Sequence, residues 1–300
     1  MAHQISRNEI RILKEEDCMG LRINTNTASL NAQRVLYNTK LGLDKSMEKL
    51  ASGYRINRAG DDAAGLAISE NLRAQIRGLK QAARNANDGI SLVQVAEGAM
   101  NEVSSILIRL RELSVQAASD TIGPVERQFL NVEYDQLISE IDRIADATEF
   151  NGTQLLAGVG AIMDFQVGIR NNPEIDRISF DSSKADANSA ALGVNLTSVA
   201  DKASAQNALS AVDTALSSVS AMRADFGALQ NRLQTTVSNI NNSIENMSAA
   251  NSRVRDVDVA EETAEMTRQN ILLQAGSSVL AQANQSANVA LSLLNKTFQG

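Results

Sequence analysis

The residue types that usually carry chemistry are nearly missing from this chain. His3 is its one histidine and lies in the polar extension of residues 1–18, which we read as excluding His-based catalytic triads, and one histidine cannot make a His-Glu-x-x-His zinc site. Cys18 is its one cysteine, which excludes paired-thiolate metal sites and any intrachain disulfide. Asp61-Asp62 and Glu261-Glu262 are the carboxylate pairs with the spacing of a proton-transfer dyad. Both read instead as helix-start residues, where an acid caps free N–H groups and suits the dipole. No Gly-rich loop followed by Lys-Ser or Lys-Thr is present to cradle a phosphate. The sequence therefore predicts no catalytic residue, no metal site, no cofactor and no enzyme. Asn-x-Ser/Thr triplets begin at Asn151, Asn195, Asn241 and Asn246. We read them as chance, with Asn151-Gly152 a hairpin turn.

The elements must then carry the function. Aromatic residues make up 3% of the 300 residues, Trp is absent, and Pro occurs only at Pro124 and Pro173. Few aromatics give little bulk for a deep core, and few prolines leave long stretches free to stay helical. The net charge of −7 speaks against nucleic acid, whose binding needs a basic face. Charges are interspersed, with no polybasic membrane patch, and no apolar run approaches the roughly 20 residues of a membrane span. Residues 1–18 are polar and lack the apolar stretch of a secretory signal.

Heptad spacing dominates the pattern. Leu72, Ile76, Leu79, Ala83, Ala86, Ile90 and Val93 alternate by four and three. Beyond Glu97 a shifted stripe, Met100, Val103, Ile106, Leu110, Leu113 and Ala117, implies a stutter. A helix over 63–118 would be about 80 Å long. Pro124 opens a second helix with Leu130, Tyr134, Leu137, Ile141 and Ile144 on one stripe, expected to fold back antiparallel. Gly and Asn punctuation from 150 to 181 predicts one or two β-hairpins. Residues 182–205 are small and polar and read as a short surface loop. The stripe returns at Leu209, Val212, Leu216, Val219, Phe226, Leu229, Leu233, Val237, Ile240, Ile244 and Met247. Methionines such as Met100, Met222 and Met247 fall on these stripes and read as core filling.

The expected fold is mainly α: an elongated antiparallel helical rod or coiled-coil bundle with a small β-hairpin region in the middle. Terminal helices, marked by Leu36, Leu43, Met47 and Leu50 and by Ile271, Val279, Leu291 and Leu294, would bury too little to outweigh chain entropy alone. They are expected to order when neighbouring copies supply more surface.

Met19-Gly20-Leu21-Arg22-Ile23-Asn24-Thr25-Asn26 resembles the start of bacterial flagellins. Ser52-Gly53-Tyr54-Arg55-Ile56-Asn57 and Ala59-Gly60-Asp61-Asp62-Ala63-Ala64-Gly65-Leu66 resemble that family's N-terminal signature. Its C-terminal region is matched by Ser252-Arg253-Val254-Arg255-Asp256-Val257-Asp258 and by the stretch from Gln274 to Gln285. The resemblance implies a structural subunit that polymerises into the bacterial flagellar filament for swimming motility. Residues 19–52 would be an N-terminal inner-tube helix, 53–62 a connector, and 63–181 outer-layer helices and hairpins. Residues 182–205 would replace large outer domains, 206–258 form an outer-layer C-terminal helix, and 259–300 a C-terminal inner-tube helix. Inner-tube packing would fall to Leu36, Leu43, Met47, Leu50, Val279, Leu280, Leu291 and Leu294.

The family also implies secretion through the type III export apparatus without a cleaved signal peptide. Partners would be copies of the chain itself, an export chaperone on the C-terminal helix, a filament cap and hook-junction proteins. Sugar on Ser or Thr near 182–198 would follow the family's habit. Residues 1–18 precede the usual family start and read as a non-native or disordered extension from a mis-assigned start codon. Ile108 to Val115 is similar to a helix segment read by a vertebrate innate-immune receptor, with Arg109 and Leu113 at contact positions and Glu133 an acidic contact. In the filament Leu113 would be covered at a subunit contact, while Arg109 and Glu133 form a solvated helix face. Two other readings are a coiled-coil signalling rod, with heptads unbroken through a central tip, and a hook–filament junction protein.

Overall fold

The computed structural model describes residues 25–159 and 162–297, with side chains up to 285. His3, Cys18 and the flagellin-like residues 19–24 lie outside that range, as do the side chains of Leu291 and Leu294. In chain order the elements are α1 (Thr27–Ser52), α2 (Ala63–Ala118), α3 (Pro124–Ala147), β1 (Glu149–Phe150), β2 (Thr153–Gln154), β3 (Ile162–Gln166), α4 (Pro173–Asp176), β4 (Arg177–Asp181), α5 (Lys202–Arg255) and α6 (Val259–Thr297). The mainly helical class stands, with two small antiparallel strand pairs. The chain divides into two units, 70–251 and a unit joining 1–69 to 252–300.

In the 70–251 unit, α2 runs antiparallel to α5, as Arg111–Asp213 at 2.7 Å and Asp120–Lys202 at 2.7 Å fix. Helix α3 folds back on α2 as expected. Arg127 reaches from its first turns to the carbonyls of Ala117 and Ser119, satisfying acceptors that the end of α2 leaves free. The seam of α2 reads Leu79, Ala82, Ala86, Gly89, Val93, Ala96, Met100, Val103, Leu107, Leu110, Ser114, Ala117, all buried. That is an unbroken alternation of three and four, so the expected stutter after Glu97 is absent. Small residues hide it from a search for large apolar ones: Ala96 bridges the apparent gap, and Gly89 admits Phe165 and Leu233 close to the backbone. Ser114 keeps its hydroxyl satisfied by donating to the Leu110 carbonyl at 2.8 Å. On α3 the buried face is Tyr134, Ile138, Ile141 and Ala145, shifted by one flank from the sequence stripe.

Both expected hairpins form. Asn151 and Gly152 take φ of 50° and 77°, the paired positive values of the tight turn between β1 and β2. Strands β3 and β4 pair from Ile162–Asp181 to Gln166–Arg177, placing Ile178 and Phe180 in the core. Residues 182–205 are not a surface loop. Ala185, Ala187, Leu192, Val194 and Val199 are buried against α3 and the hairpins. The reason is local: α3 supplies polar groups that satisfy the strap's backbone. Asp142 accepts from the Ser189 N–H and hydroxyl at 2.8 and 2.9 Å, and Asn131 accepts from the Val199 N–H at 2.9 Å. A polar-looking stretch can therefore lie flat on the core.

In the other unit α1 and α6 lie antiparallel, with Lys49–Glu262 near one end at 3.3 Å and Ser29–Asn284 near the other at 2.9 Å. Gly53 ends α1 at φ 74°, its N–H bonded to the Lys49 carbonyl. The connector that follows pairs with the segment before α6. Arg55 N–H donates to the Arg255 carbonyl at 2.7 Å and Val257 N–H to the Gly53 carbonyl at 3.1 Å. The Arg255 guanidinium sits 4.7 Å from the centre of the Tyr54 ring. Asp62 caps α2 by accepting from the Gly65 N–H, while Asp61 accepts from Arg58 and Asn57. The expected helix-start role of this acid pair thus splits into one cap and one turn.

Candidate assembly surfaces

The α1/α6 pair shares a mixed seam. On α1 it is lined by Ser29, Thr39 and Ser46, all buried, with Leu36, Leu43 and Leu50 half-buried at heptad positions beside them. On α6 Met266, Leu273 and Leu280 are half-buried at heptad positions that alternate with Gln269, Gly276 and Ala283. Leu36 fills the space over Gly276, and the Gln269 side chain that over Gly42. The Asn26 amide donates across the seam to the Ala283 carbonyl at 2.8 Å. Further large apolar groups point outward: Leu30, Tyr37, Leu41 and Met47 on α1, and Val259, Ile271, Leu272 and Val279 on α6. A shallow concavity along α6, floored by Ala260, Ala264 and Thr267 and walled by Ile271 and Leu272, opens on this outer side.

Of the residues expected to pack the inner tube, Leu36, Leu43, Leu50 and Leu280 are half-buried, and Met47 and Val279 face out. The outward stripe Leu30, Tyr37, Leu41 was missed. Its signal lay in the sequence: seven and four residues separate its members, a second heptad stripe on a helix that already had one.

On the 70–251 unit, the face shared by α2 and α3 carries Arg109 and Glu133. Two Arg109 nitrogens meet Glu133 Oε1 at 2.9 and 2.7 Å, and a third meets Glu112 at 3.0 Å. Glu133 first, then Glu112, pushes the Arg109 guanidinium still higher in pKa. The pair is exposed and of little worth to stability. Leu113 does not share the surface. It is fully buried in the unit's own core, so the expectation that a subunit contact covers it is corrected. It lies beside the α2 seam, next to Ser114 and three residues past Leu110, and its own chain already covers it. The exposed apolar groups here are Ile108, Val115, Val125, Phe129 and Val132.

Among the described residues no His, Cys, Asp or Glu cluster could hold a metal ion, and no helix is long and apolar enough to cross a membrane.

Residues 23–161 match the model of the bacterial flagellin N-terminal helical region, and residues 209–294 that of the C-terminal helical region. A flagellin of Halalkalibacterium halodurans is 50% identical over 273 residues, spanning 91% of this chain and 99% of the relative. The flagellar filament 33 kDa core protein of Treponema phagedenis is 45% identical over 288 residues, again spanning 91% and 99%. The crystal structure of Bacillus cereus flagellin is similar at 32% identity and a TM-score of 0.47, covering 56% of this chain and 94% of that one.

Proposed function

The chain belongs to the bacterial flagellin family, and from that premise we propose how its surfaces build a polymer. It is a structural subunit of the flagellar filament, and that filament, made of copies of the same chain, is extracellular. The family is one of structural proteins and not of enzymes.

The observation that carries the proposal is the set of apolar stripes that the α1/α6 pair leaves exposed. A helix pair that turns Ser29, Thr39 and Ser46 inward and Leu30, Tyr37 and Leu41 outward leaves its hydrophobic surface for something else to cover. Each large apolar side chain moved from water is worth about 1.5–3 kcal/mol. Copies packed around one another cover those stripes and order the pair in the same step. On this reading the terminal helices form the inner layer of the assembly. Leu36, Leu43 and Leu50 hold α1 to its own α6, while Leu30, Tyr37, Leu41, Met47 and Val279 meet neighbouring copies.

The finer expectations fit this reading. Export without a cleaved signal peptide, through the flagellar type III apparatus, suits a subunit whose terminal surfaces must stay uncovered until they reach the growing end. An export chaperone would cover the outer stripe of α6 in transit, and cap and hook-junction proteins would present matching stripes. A host receptor would find Arg109 and Glu133 on free monomer, with Ile108 or Phe129 as the apolar contact in place of the buried Leu113.

Replacing Leu30, Tyr37 and Leu41 together with Ser tests the inner-layer role. The expected variant keeps the circular dichroism of the wild-type monomer yet forms no filaments under precipitating salt. Assembly at the wild-type concentration threshold would overturn it.

A further inference from the structure

Asn151 is the one asparagine of the chain that a glycine follows. An asparagine side-chain amide is a weak electrophile, and the nitrogen of the next residue can attack it to close a five-membered ring. Three things decide whether that happens: the bulk beside the attacking nitrogen, whether its N–H is already tied, and whether the backbone can turn. On all three counts the turn between β1 and β2 stands apart. Gly152 has no Cβ to block the approach, and nothing stands within 4 Å of where one would be. Neither the Asn151 side chain nor the Gly152 N–H makes a hydrogen bond to any described residue, and both residues are exposed. Strands β1 and β2 are two residues each, joined by the pairs Glu149–Gln154 and Phe150–Thr153 alone. So short a hairpin opens at little cost. Opening also releases Asn151 from a φ of 50°, a region that residues other than glycine seldom occupy.

Asparagines followed by other small residues are held in place. Asn31, Asn85, Asn207 and Asn242 lie inside α1, α2 and α5, where the N–H of the next residue serves the helix. Asn188 lies outside any helix and precedes Ser189. Its amide donates to the Ala157 carbonyl at 3.1 Å, while the Ser189 N–H donates to Asp142 at 2.8 Å. The two groups that are free at 151 and 152 are thus both engaged at 188 and 189.

We propose that Asn151 is a site of spontaneous covalent modification, converted through a cyclic imide to aspartate and isoaspartate with water as the only co-reactant. The Gly152 nitrogen forms a bond to Asn151 Cγ and gives up its proton. The Cγ–Nδ2 bond breaks, and the amide nitrogen leaves as ammonia, carrying that proton away. Water then adds to one of the two ring carbonyls, its hydroxyl going to carbon and its proton to the ring nitrogen. Cleavage at Cγ restores the original main chain as aspartate. Cleavage at the backbone carbonyl leaves the chain running through the side chain, as isoaspartate. Nothing is oxidised or reduced. Either product adds one negative charge to a chain of net charge −7. Isoaspartate also adds a carbon to the main chain, so the two-residue turn no longer matches the strands it joins. The core next to it is held separately, because the Leu155 N–H donates to the Thr148 carbonyl at 3.0 Å. The mark accumulates with the age of each copy, and it does not rest on the filament reading.

The test holds the full-length chain in neutral buffer at body temperature for several weeks. Its proteolytic peptides are then sequenced by electron-transfer mass spectrometry, which tells aspartate from isoaspartate. A synthetic peptide of residues 148–155, kept in the same buffer, supplies the rate for an open chain. Asn151 of the folded chain is expected to convert within about ten-fold of that rate, set by the fraction of time the turn is open. Isoaspartate should be among the products, while Asn85, Asn188 and Asn207 stay unchanged. Isoelectric focusing should show an acidic band growing at the same pace. That band should be missing from Asn151→Gln, whose longer side chain would have to close a six-membered ring. Asn151 intact while the peptide converts, conversion no faster than at Asn188, or aspartate without isoaspartate would each overturn the proposal. The map of the wild-type chain decides the matter whether or not the variant folds.

Discussion

Gly276 shows how closely single atoms set the behaviour of the terminal pair. A methyl group there would stand 2.7 Å from Leu36 Cδ2 and 3.1 Å from its Cγ, so the Leu36 side chain would have to shift. Gly98 on α2 has nothing within 4 Å of the same position. Gly276→Ala is therefore expected to cost about 1–3 kcal/mol of pairing between α1 and α6 by overpacking. Gly98→Ala should be neutral or stabilise by up to ~1 kcal/mol through helix propensity. Thermal melts of both variants check the contrast, and equal effects would contradict it. Leu113 offers a second residue-scale test. Truncation to Ala in a fully buried seam is expected to cost about 2–5 kcal/mol and lower the melting temperature of the monomer. A variant with unchanged melting would mean that Leu113 lies at a surface after all.

At the scale of elements, the connector and the segment before α6 form one clasp from two distant stretches of sequence. Its polar geometry depends on ionised Asp61, whose carboxylate accepts from the N–H of Arg58 and then of Asn57, and these bonds hold its pKa below the usual 3.8. The folded pKa being depressed, the contribution is present above the unfolded value and lost as pH falls through the folded one. The Asp61 carboxyl is therefore expected to titrate below 3.8 by NMR, with the Arg58 and Asn57 amides shifting together with it. A titration at or above that value would contradict the turn. Long elements were legible in the sequence because a 3–4 stripe repeated over many turns leaves little ambiguity, and Asn151-Gly152 announced its hairpin through turn chemistry alone. Three features were not legible. The α2 seam looked broken because Gly89, Ala96 and Ser114 occupy core positions without apolar bulk. The strap after β4 looked like a loop because its satisfaction comes from Asp142 and Asn131, far away in sequence. The clasp of Tyr54 and Arg55 with Arg255 and Val257 joins residues about 200 positions apart, beyond the reach of any periodicity.

At the scale of the whole molecule, a search for chemistry and the built surfaces point the same way. The chain has one histidine and one cysteine, and among the described residues no His, Cys, Asp or Glu group could hold a metal ion, whereas its faces are extensive and partly apolar. Those faces divide the labour between the two units. The 70–251 unit is conventionally packed, with Leu, Val and Met inside and charges outside. The terminal unit only half-buries Leu36, Leu43, Leu50, Leu273 and Leu280 and leaves further apolar stripes exposed, which copies in a polymer can cover and a monomer cannot. The resemblance at both ends named the function, and of the residues assigned to inner-tube packing Leu36, Leu43, Leu50 and Leu280 lie in the seam within one copy while Met47 and Val279 face out. A heptad stripe shows that a helix has a partner and not which partner, and α1 carries two stripes.

The most direct test is to assemble the purified full-length chain with ammonium sulfate while following helicity by circular dichroism and imaging by negative-stain electron microscopy. Uniform tubular filaments, with helicity rising as they grow, are the expected result, and a companion chain lacking residues 1–52 and 259–300 should form none. A discrete oligomer whose size and helicity respond neither to salt nor to loss of the terminal helices would contradict the account.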